Sequence, residues 1–512
     1  MPALAFKGIT KHFGALVAND AISFQVEPGE VLALLGENGA GKTTLMNILF
    51  GHYQADEGIV EVDGRPLPGG STDAAIRAGI GMVHQHFTLA DNLTVLENIT
   101  LGTESLWSWR QNKAEAHRKL EHLAETFGLV VDPEAMVRSL SVGERQRVEI
   151  LKALYRDSHI LILDEPTAVL TPSETGQLFR TLKALTSNGL AVIFISHKLH
   201  EIKAISDRAA VLRAGTLIGI VDTDATDRRT LAQMMVGRDV ERPTLEQVAA
   251  GDAVLDVEGL SLKGEVGRLL LDDVDLTVCA HEIVGIAGVA GNGQGALADV
   301  LSGLRPDFEG RVDLLGESVK GVAPRDLVER GVGRIPEDRQ ASGVIGEMAV
   351  WENLTSEDLR SQSVSRGGFI DKRTAVGRAD RLIETFDIRC EGAMAETRLL
   401  SGGNMQKLIL ARALSPEPAF ILANQPVRGL DEGAIAYVQS RLLAARERGA
   451  AILLMSEDLD ELMAFTDRLA VIQDGRLSEL RPTADWTIAD LGLHMSTTRR
   501  VEAGLAGAGH AD

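Results

Sequence analysis

The chain says nearly everything twice, and any fold assigned to it must be built twice. "LALLGENGAGKTTLMNILFG", starting at Leu32, returns as "VGIAGVAGNGQGALADVLSG", with Gly288 lying 252 residues after Gly36. Gln85 meets Glu337 at the same offset of 252. Further on, "LSVGERQRVEILKAL" returns as "LSGGNMQKLILARAL", "ILILDEPTAVLT" as "FILANQPVRGLD" and "ISHKLHEIKAISDRAAVL" as "MSEDLDELMAFTDRLAVI". These three blocks all stand 260 residues apart, so the offset changes once, by 8. A repeat this long is a duplicated domain rather than a solenoid, whose periods run to about 20–50 residues. The halves are placed at 1–240 and 253–495, joined by the short polar segment 241–252. The small, polar tail 496–512 is expected to be disordered. Within each half, apolar runs such as "VLALLG", "ILILD" and "AVIFISH" alternate with helical stretches. Strands apolar on both faces and flanked by helices predict an α/β fold with a buried, mostly parallel sheet.

The first half carries the chemistry of phosphate binding. "GENGAGKTT", from Gly36 through Glu37, Asn38, Gly39, Ala40, Gly41, Lys42 and Thr43 to Thr44, follows an apolar strand and opens an amphipathic helix. The glycines let backbone N–H groups close around phosphates, and the helix N-terminus adds partial positive charge. In that context Lys42 reaches the β- and γ-phosphates and Thr43 binds Mg²⁺. "ILILDEP" ends a buried strand in two carboxylates. Asp164 suits Mg²⁺, through water, and Glu165 is placed to orient or deprotonate an attacking water. Two acids at a strand end can also be caps, but beside a phosphate loop the catalytic reading leads. His197 follows the next apolar strand and can contact the γ-phosphate. A lone histidine is more often structural, and only its place among the other motifs argues otherwise. Phe13, 23 residues before Gly36, could stack on adenine, although alone it reads first as a core residue.

Taken together, Gly36–Thr44, Gln85, "LSVGE" at 140–144, "LDEP" at 163–166, His197 and "LSGGNMQ" at 400–406 resemble the ABC-type ATPases, over nearly the whole chain. The tandem arrangement is similar to the ATPase subunits of bacterial importers for simple sugars and nucleosides. "GMVHQHFTLADNLTVLENI" and "DEPTAVLTP" resemble the purine-nucleoside branch in particular. This resemblance implies two P-loop domains, each with a mostly parallel core sheet, an antiparallel β subdomain and a helical subdomain. It implies ATP and Mg²⁺ as cofactors and Gln85 as a glutamine touching Mg²⁺. It implies two membrane-spanning permease subunits as partners, an extracytoplasmic solute-binding protein acting indirectly, and a peripheral position on the cytoplasmic face of the inner membrane. The halves would pack head to tail, with each nucleotide between one half's phosphate loop and the other's signature. One site would then pair Lys42, Asp164, Glu165, His197 and Gln85 with Ser401, Gly402, Gly403, Gln406 and Asp431.

The other site would have lost most of its chemistry. Gln294 and Gly295 stand for Lys42 and Thr43, Asn424 and Gln425 for the carboxylates, Glu457 for His197 and Glu337 for Gln85. Glu265 stands for Phe13, Thr171 for Asp431, and Val142 for the first signature glycine. Losing one contact to a developing phosphate charge costs about 3–4 kcal/mol of barrier, a factor of about 10²–10³, so several losses abolish hydrolysis.

Totals narrow the alternatives. With a net charge of −21 the chain is a poor general binder of nucleic acid. Soluble tandem ATPases of the ribosome usually keep both sites intact and join their halves by a long charged linker, unlike this chain. The start "MPALAFKGIT" shows no signal-peptide pattern, and no run of about 18 apolar residues occurs, so a membrane role must come through partners. Two cysteines, Cys279 and Cys390, make no disulfide framework or metal cluster. An exporter, which commonly fuses membrane segments to the ATPase, and a non-catalytic scaffold both fit less well. No residue of such a subunit encodes the cargo. Purine nucleosides lead by resemblance, with pentoses and hexoses as the alternative.

Overall fold

A computed structural model describes residues 1–496 except 85–86, 104–112, 168–169, 171, 197, 238–242, 247, 265–267, 290, 360, 362–363 and 367–368. Gln85, His197, Thr171, Glu265 and the tail 497–512 therefore lie outside the described residues. The chain divides into two compact units, Met1–Val240 and Glu241–Asp512. Part of the segment between the two repeats attaches to the second unit. Gly251 N–H donates to the Ala280 carbonyl at 2.9 Å, and the buried Arg446 donates to the Glu246 carbonyl at 2.9 Å.

In the first unit a six-stranded sheet has the spatial order Ile80–Val83, Ile160–Asp164, Ala191–Ile195, Val31–Leu35, Arg208–Arg213, Thr216–Asp222. All its pairings are parallel except the last, a hairpin. The strand Val31–Leu35 explains why its residues are apolar throughout. Val31, Ala33 and Leu35 face one buried cluster and Leu32 and Leu34 face another, so both faces are core. Each such side chain contributes about 1.5–3 kcal/mol by leaving water, which is what holds a strand between two helical layers. A second, antiparallel sheet, Leu4–Phe13, Leu16–Val26, Glu57–Val62 and Arg65–Pro66, closes over one side. Helices Val95–Thr100, Lys113–Phe127 and Val142–Tyr155 pack on one another.

The second unit repeats this order: Val332–Ile335, Phe420–Asn424, Ala451–Ser456, Ile283–Ala287, Arg468–Gln473. Again one strand feeds two cores, Ile283 and Ala287 on one face and Val284 and Ile286 on the other. Its antiparallel sheet is Ala253–Lys263, Leu269–Cys279, Glu309–Leu314 and Glu317–Ser318. Helices Val350–Thr355, Lys372–Thr385 and Gly402–Leu414 correspond to the helical group of the first unit.

Register decides where chemistry can collect. In the first unit Leu34 pairs with Ile195, Asp164 with Ile195 and Val83 with Leu163. The carboxyl ends of four strands therefore stop level with one another, and the segments that follow them leave from one edge. Open α/β sheets bind ligands at that edge.

Candidate functional site

The loop Gly36–Gly41 leaves the strand Val31–Leu35 and ends at the helix Lys42–Leu49. Its shape requires glycine at both ends. Gly36 has φ 153°, and a Cβ there would lie 2.4 Å from the Leu212 carbonyl oxygen. Gly41 has φ 96° and caps the helix, and a Cβ there would lie 2.3 Å from the Ala18 carbonyl oxygen. The loop is thus drawn tight against two backbones. Asn19, fully buried, donates from Nδ2 to the Gly41 carbonyl at 3.1 Å and braces this turn from behind. Lys42 arches over the loop, its Nζ donating to the carbonyls of Gly36 at 2.7 Å and Glu37 at 3.0 Å. Thr43 is exposed on the first helical turn. Phe13 ends the first strand and is 44 % exposed, with Tyr53 edge-on at 5.4 Å, so it forms an aromatic surface rather than core.

Asp164 closes the strand Ile160–Asp164 and Glu165 turns away from it. Burial pushes the Asp164 carboxyl above its ordinary value of 3.8, the Glu165 charge pushes the same way, and Lys42 opposes both. Two adjacent carboxylates with a lysine in range are short of positive charge, and a divalent cation meets that need. Among the described residues no cluster of three or more His, Cys, Asp or Glu forms a protein-only metal cage. One carboxylate, one hydroxyl and the oxygens of a bound phosphate form the kind of donor set that suits Mg²⁺. Glu165 has φ 45°, and its N–H donates to the Ile195 carbonyl at 3.0 Å. A non-glycine residue in the left-handed region carries strain of about 1–3 kcal/mol, and here it aims the side chain off the strand end.

The second unit keeps this backbone and changes what stands on it. Gly293 caps the helix Gln294–Leu301 with φ 119°. Gln294, only 6 % exposed, folds inward and its Nε2 lies 3.4 Å from the Ile286 carbonyl. Gly295 faces open space. Leu271, buried, occupies the place of Asn19, 252 residues on. Asn424 and Gln425 are buried, and Gln425 keeps φ 50° with its N–H on the Met455 carbonyl at 2.8 Å. The Gln425 side chain accepts from the Glu457 N–H at 3.4 Å.

The two signature turns also differ. Ser141 caps the helix Val142–Tyr155, and its hydroxyl donates to the Glu144 carboxylate at 2.9 Å, while Glu144 also accepts from the Ser141 N–H at 2.8 Å. These bonds hold Glu144 ionised, its pKa below the usual range. Ser401 caps the helix Gly402–Leu414, and both hydrogen bonds of its hydroxyl among the described residues are accepted ones, from Asn404 N–H at 3.4 Å and Asn404 Nδ2 at 2.9 Å. The proton of Ser141 is spent within its own turn, whereas that of Ser401 is available to an acceptor. Gly402 is exposed where Val142 stands in the first unit, and Gly403 follows it. Asp431 caps the helix Glu432–Glu447, accepting from the Ala434 N–H at 2.9 Å.

The described part of each unit thus gathers its own motif residues: Gly36–Thr44, Asp164 and Glu165 in the first, Ser401–Gly403, Gln406 and Asp431 in the second. Sequence reasoning missed Asn19 and Tyr53. A polar residue on an otherwise apolar strand face was the available signal for Asn19.

The family model described as ABC transporter matches residues 19–168 and 271–428. The nucleoside import ATP-binding protein NupA of Lactococcus lactis subsp. cremoris is 44% identical over 489 residues, covering 95% of this chain and 96% of the relative. The guanosine import ATP-binding protein NupO of Bacillus subtilis is 43% identical, covering 97% of this chain and 98% of the relative. The glucose import ATP-binding protein TsgD13 of Haloferax volcanii is 42% identical, covering 97% of this chain and 96% of the relative.

Proposed function

The chain belongs to the ABC transporter family, as an import ATP-binding protein whose ATPase activity is coupled to transport, and from that premise we propose that it drives uptake of purine nucleosides with one hydrolytic and one non-hydrolytic nucleotide site. The observation that carries this reading is the division of the machinery: the first unit holds the phosphate loop and carboxylates, and the second holds the signature turn whose serine hydroxyl accepts hydrogen bonds and keeps its proton for an acceptor. Phe13 stacks on adenine with Tyr53 beside it. The amides of Gly36–Lys42 and the Lys42 ammonium bind the β- and γ-phosphates. Thr43, Asp164 and Gln85 would hold Mg²⁺, which would neutralise phosphate charge that otherwise repels a nucleophile. Glu165 accepts the proton of the attacking water, and His197 links that water to the γ-phosphate. The second unit closes head to tail on this half. Ser401 then donates its hydroxyl, Gly402 and Gly403 their amides, and Gln406 and Asp431 line the same turn.

At the opposite site Gln294 brings no charge, Asn424 and Gln425 replace both carboxylates, and Glu457 sets negative charge near phosphate, so that site does not hydrolyse nucleotide whether or not one binds there. Closure on ATP and reopening after hydrolysis move two permease subunits on the cytoplasmic face of the membrane, with a solute-binding protein delivering cargo on the far side. One chain supplies both halves, which gives one copy per transporter. Among the described residues no helix is long and apolar enough to cross a membrane, consistent with a peripheral subunit.

The nucleoside and guanosine import proteins, at 44% and 43% identity, support that cargo; the glucose import protein, at 42%, favours a sugar as the second reading. Cells whose only copy carries Glu165→Gln are the test, with uptake of radiolabelled guanosine, adenosine, ribose and glucose measured side by side. Loss of nucleoside uptake alone supports the proposal. Loss of sugar uptake alone replaces the cargo, and unchanged uptake of all four removes the import role for these solutes.

A further inference from the structure

The loop after the strand Val332–Ile335 makes a connection that Phe87, at the matching position of the first unit, has no side-chain donor to make. Arg339 stands 252 residues after Phe87. It opens a five-residue π-turn, Arg339–Gly343, a wide turn of a kind that collects at functional sites. Asp338 fixes the base of this turn, accepting from the N–H groups of Gln340 and Ala341 at 2.9 Å each.

From that base the Arg339 guanidinium reaches two separate elements. Its Nε donates to Gln406 Oε1 at 2.8 Å, on the signature helix. Its Nη2 donates to the Arg428 carbonyl, in the turn that leads from Gln425 to Asp431. A Cβ placed on Gly402 would lie 3.9 Å from Arg339 Nη1, so the guanidinium also lies close to the first signature glycine. The Arg428 side chain folds back to pair with Glu337, which closes a ring from the loop to the turn and back. Burial and the neighbouring Arg428 push the Arg339 pKa down to about 10, a measure of what it costs to keep this charge inside. Gln406 is 1 % exposed and its Nε2 has no hydrogen-bond partner, so Arg339 is what orients its amide. In the first unit the equivalent Gln146 is as deeply placed, its Nε2 equally without a partner, and Phe87 offers no donor to hold it.

We propose that Arg339 is a positioning residue for ATP hydrolysis: it fixes the spacing between the signature turn at Ser401 and the turn at Asp431, so that both meet the nucleotide of the first half as one rigid piece. This rests on the reading that Ser401 and Asp431 complete the hydrolytic site. The guanidinium suits the task because a planar fork can bond in two directions at once, which an ammonium on a flexible stem does less well.

Steady-state ATPase of the full-length chain tests it, with kcat and KM for MgATP measured separately and melting followed by circular dichroism. Misplacing a reacting group by about 1 Å costs up to about 10²-fold, so Arg339→Met should lower kcat by about 10- to 100-fold while KM changes by less than about threefold. Arg339→Lys should recover little of the loss, and it decides the matter if Arg339→Met does not fold. Adding Gln406→Met to Arg339→Met should lower kcat by less than about a further twofold, because the two act through one contact. A kcat within twofold of wild type in a folded Arg339 variant overturns the proposal. So does a loss that multiplies with Gln406→Met, or one that Arg339→Lys fully restores. If Ser401→Ala and Asp431→Ala also leave kcat unchanged, the shared-site reading itself has failed. If they lower it and the Arg339 variants do not, only this inference has.

Discussion

The two phosphate loops end in the same kind of helix cap and have opposite interiors. Gly41 and Gly293 both cap a helix in the left-handed region. Behind the first stands Asn19, hydrogen-bonded to the loop; at the same place behind the second stands Leu271, buried in an apolar cluster. Over the first arches a lysine, and into the second folds a glutamine. The difference teaches that exchanging the lysine for glutamine and the asparagine for leucine goes together with a loop whose side chains turn toward their own domain. A buried amide that reaches its own strand asks for no ligand, whereas a lysine beside two carboxylates does.

The largest way to break this contrast is to remove the base. Glu165→Gln, or Lys42→Ala, should lower kcat by about 10³-fold or more, while Gln425→Ala and Gln294→Ala should leave it within about twofold, as read by steady-state phosphate release. Appreciable turnover in Glu165→Gln would falsify the assignment of the first half as the hydrolytic one.

The signature turns give the next effect. Ser401→Ala removes a hydroxyl whose proton is available and should cost about 10²-fold in kcat, whereas Ser141→Ala removes one already bonded to Glu144 and should cost less than about twofold. Equal losses in the two variants would mean that both turns serve hydrolysis.

The carboxylate turn can be tested without turnover. Burial and Glu165 hold the Asp164 carboxyl above 3.8, so at a pH between the unfolded and folded values the folded chain keeps a proton there that the unfolded chain has released. The stability tied to this group is complete below its unfolded pKa and is lost as pH rises through the raised folded value. Asp164→Asn removes that loss. Its melting temperature without nucleotide should exceed the wild type's at neutral pH, and the gap should close as pH approaches 4. Added MgATP should then raise the melting temperature of the wild type more than that of the variant. A gap that stays constant with pH would contradict the electrostatic origin.

The smallest effect lies at Gly295, which sits in a helix and faces open space. Gly295→Ala should stabilise the chain by about 0.5–1 kcal/mol in urea unfolding, with ATPase unchanged. A loss of activity there would show that the second loop does more than hold nucleotide.

Much of this was readable before any coordinates. Strands buried on both faces announce themselves as unbroken apolar runs, and "ILILD" and "AVIFI" are strands of the central sheet. Local signals carry the phosphate loop, because its glycines and lysine fall within nine residues. The capping box of Ser141 and Glu144 went unread, although a serine followed three residues later by glutamate is its sequence signal. What sequence could not carry is contact across distance. Arg339 meets partners 67 and 89 residues away, and no spacing rule links them. Asn19 is 22 residues from the glycine it holds, on a strand whose pattern says only that one face is buried.

Glu165 and Gln425 share one further property, a left-handed backbone, at φ 45° and 50°. The bend was kept where the acid was given up. A one-atom exchange, amide nitrogen for carboxylate oxygen, separates the two side chains, and neither version asks the chain to fold differently. The bend therefore belongs to the fold and not to the carboxylate that one copy sets on it.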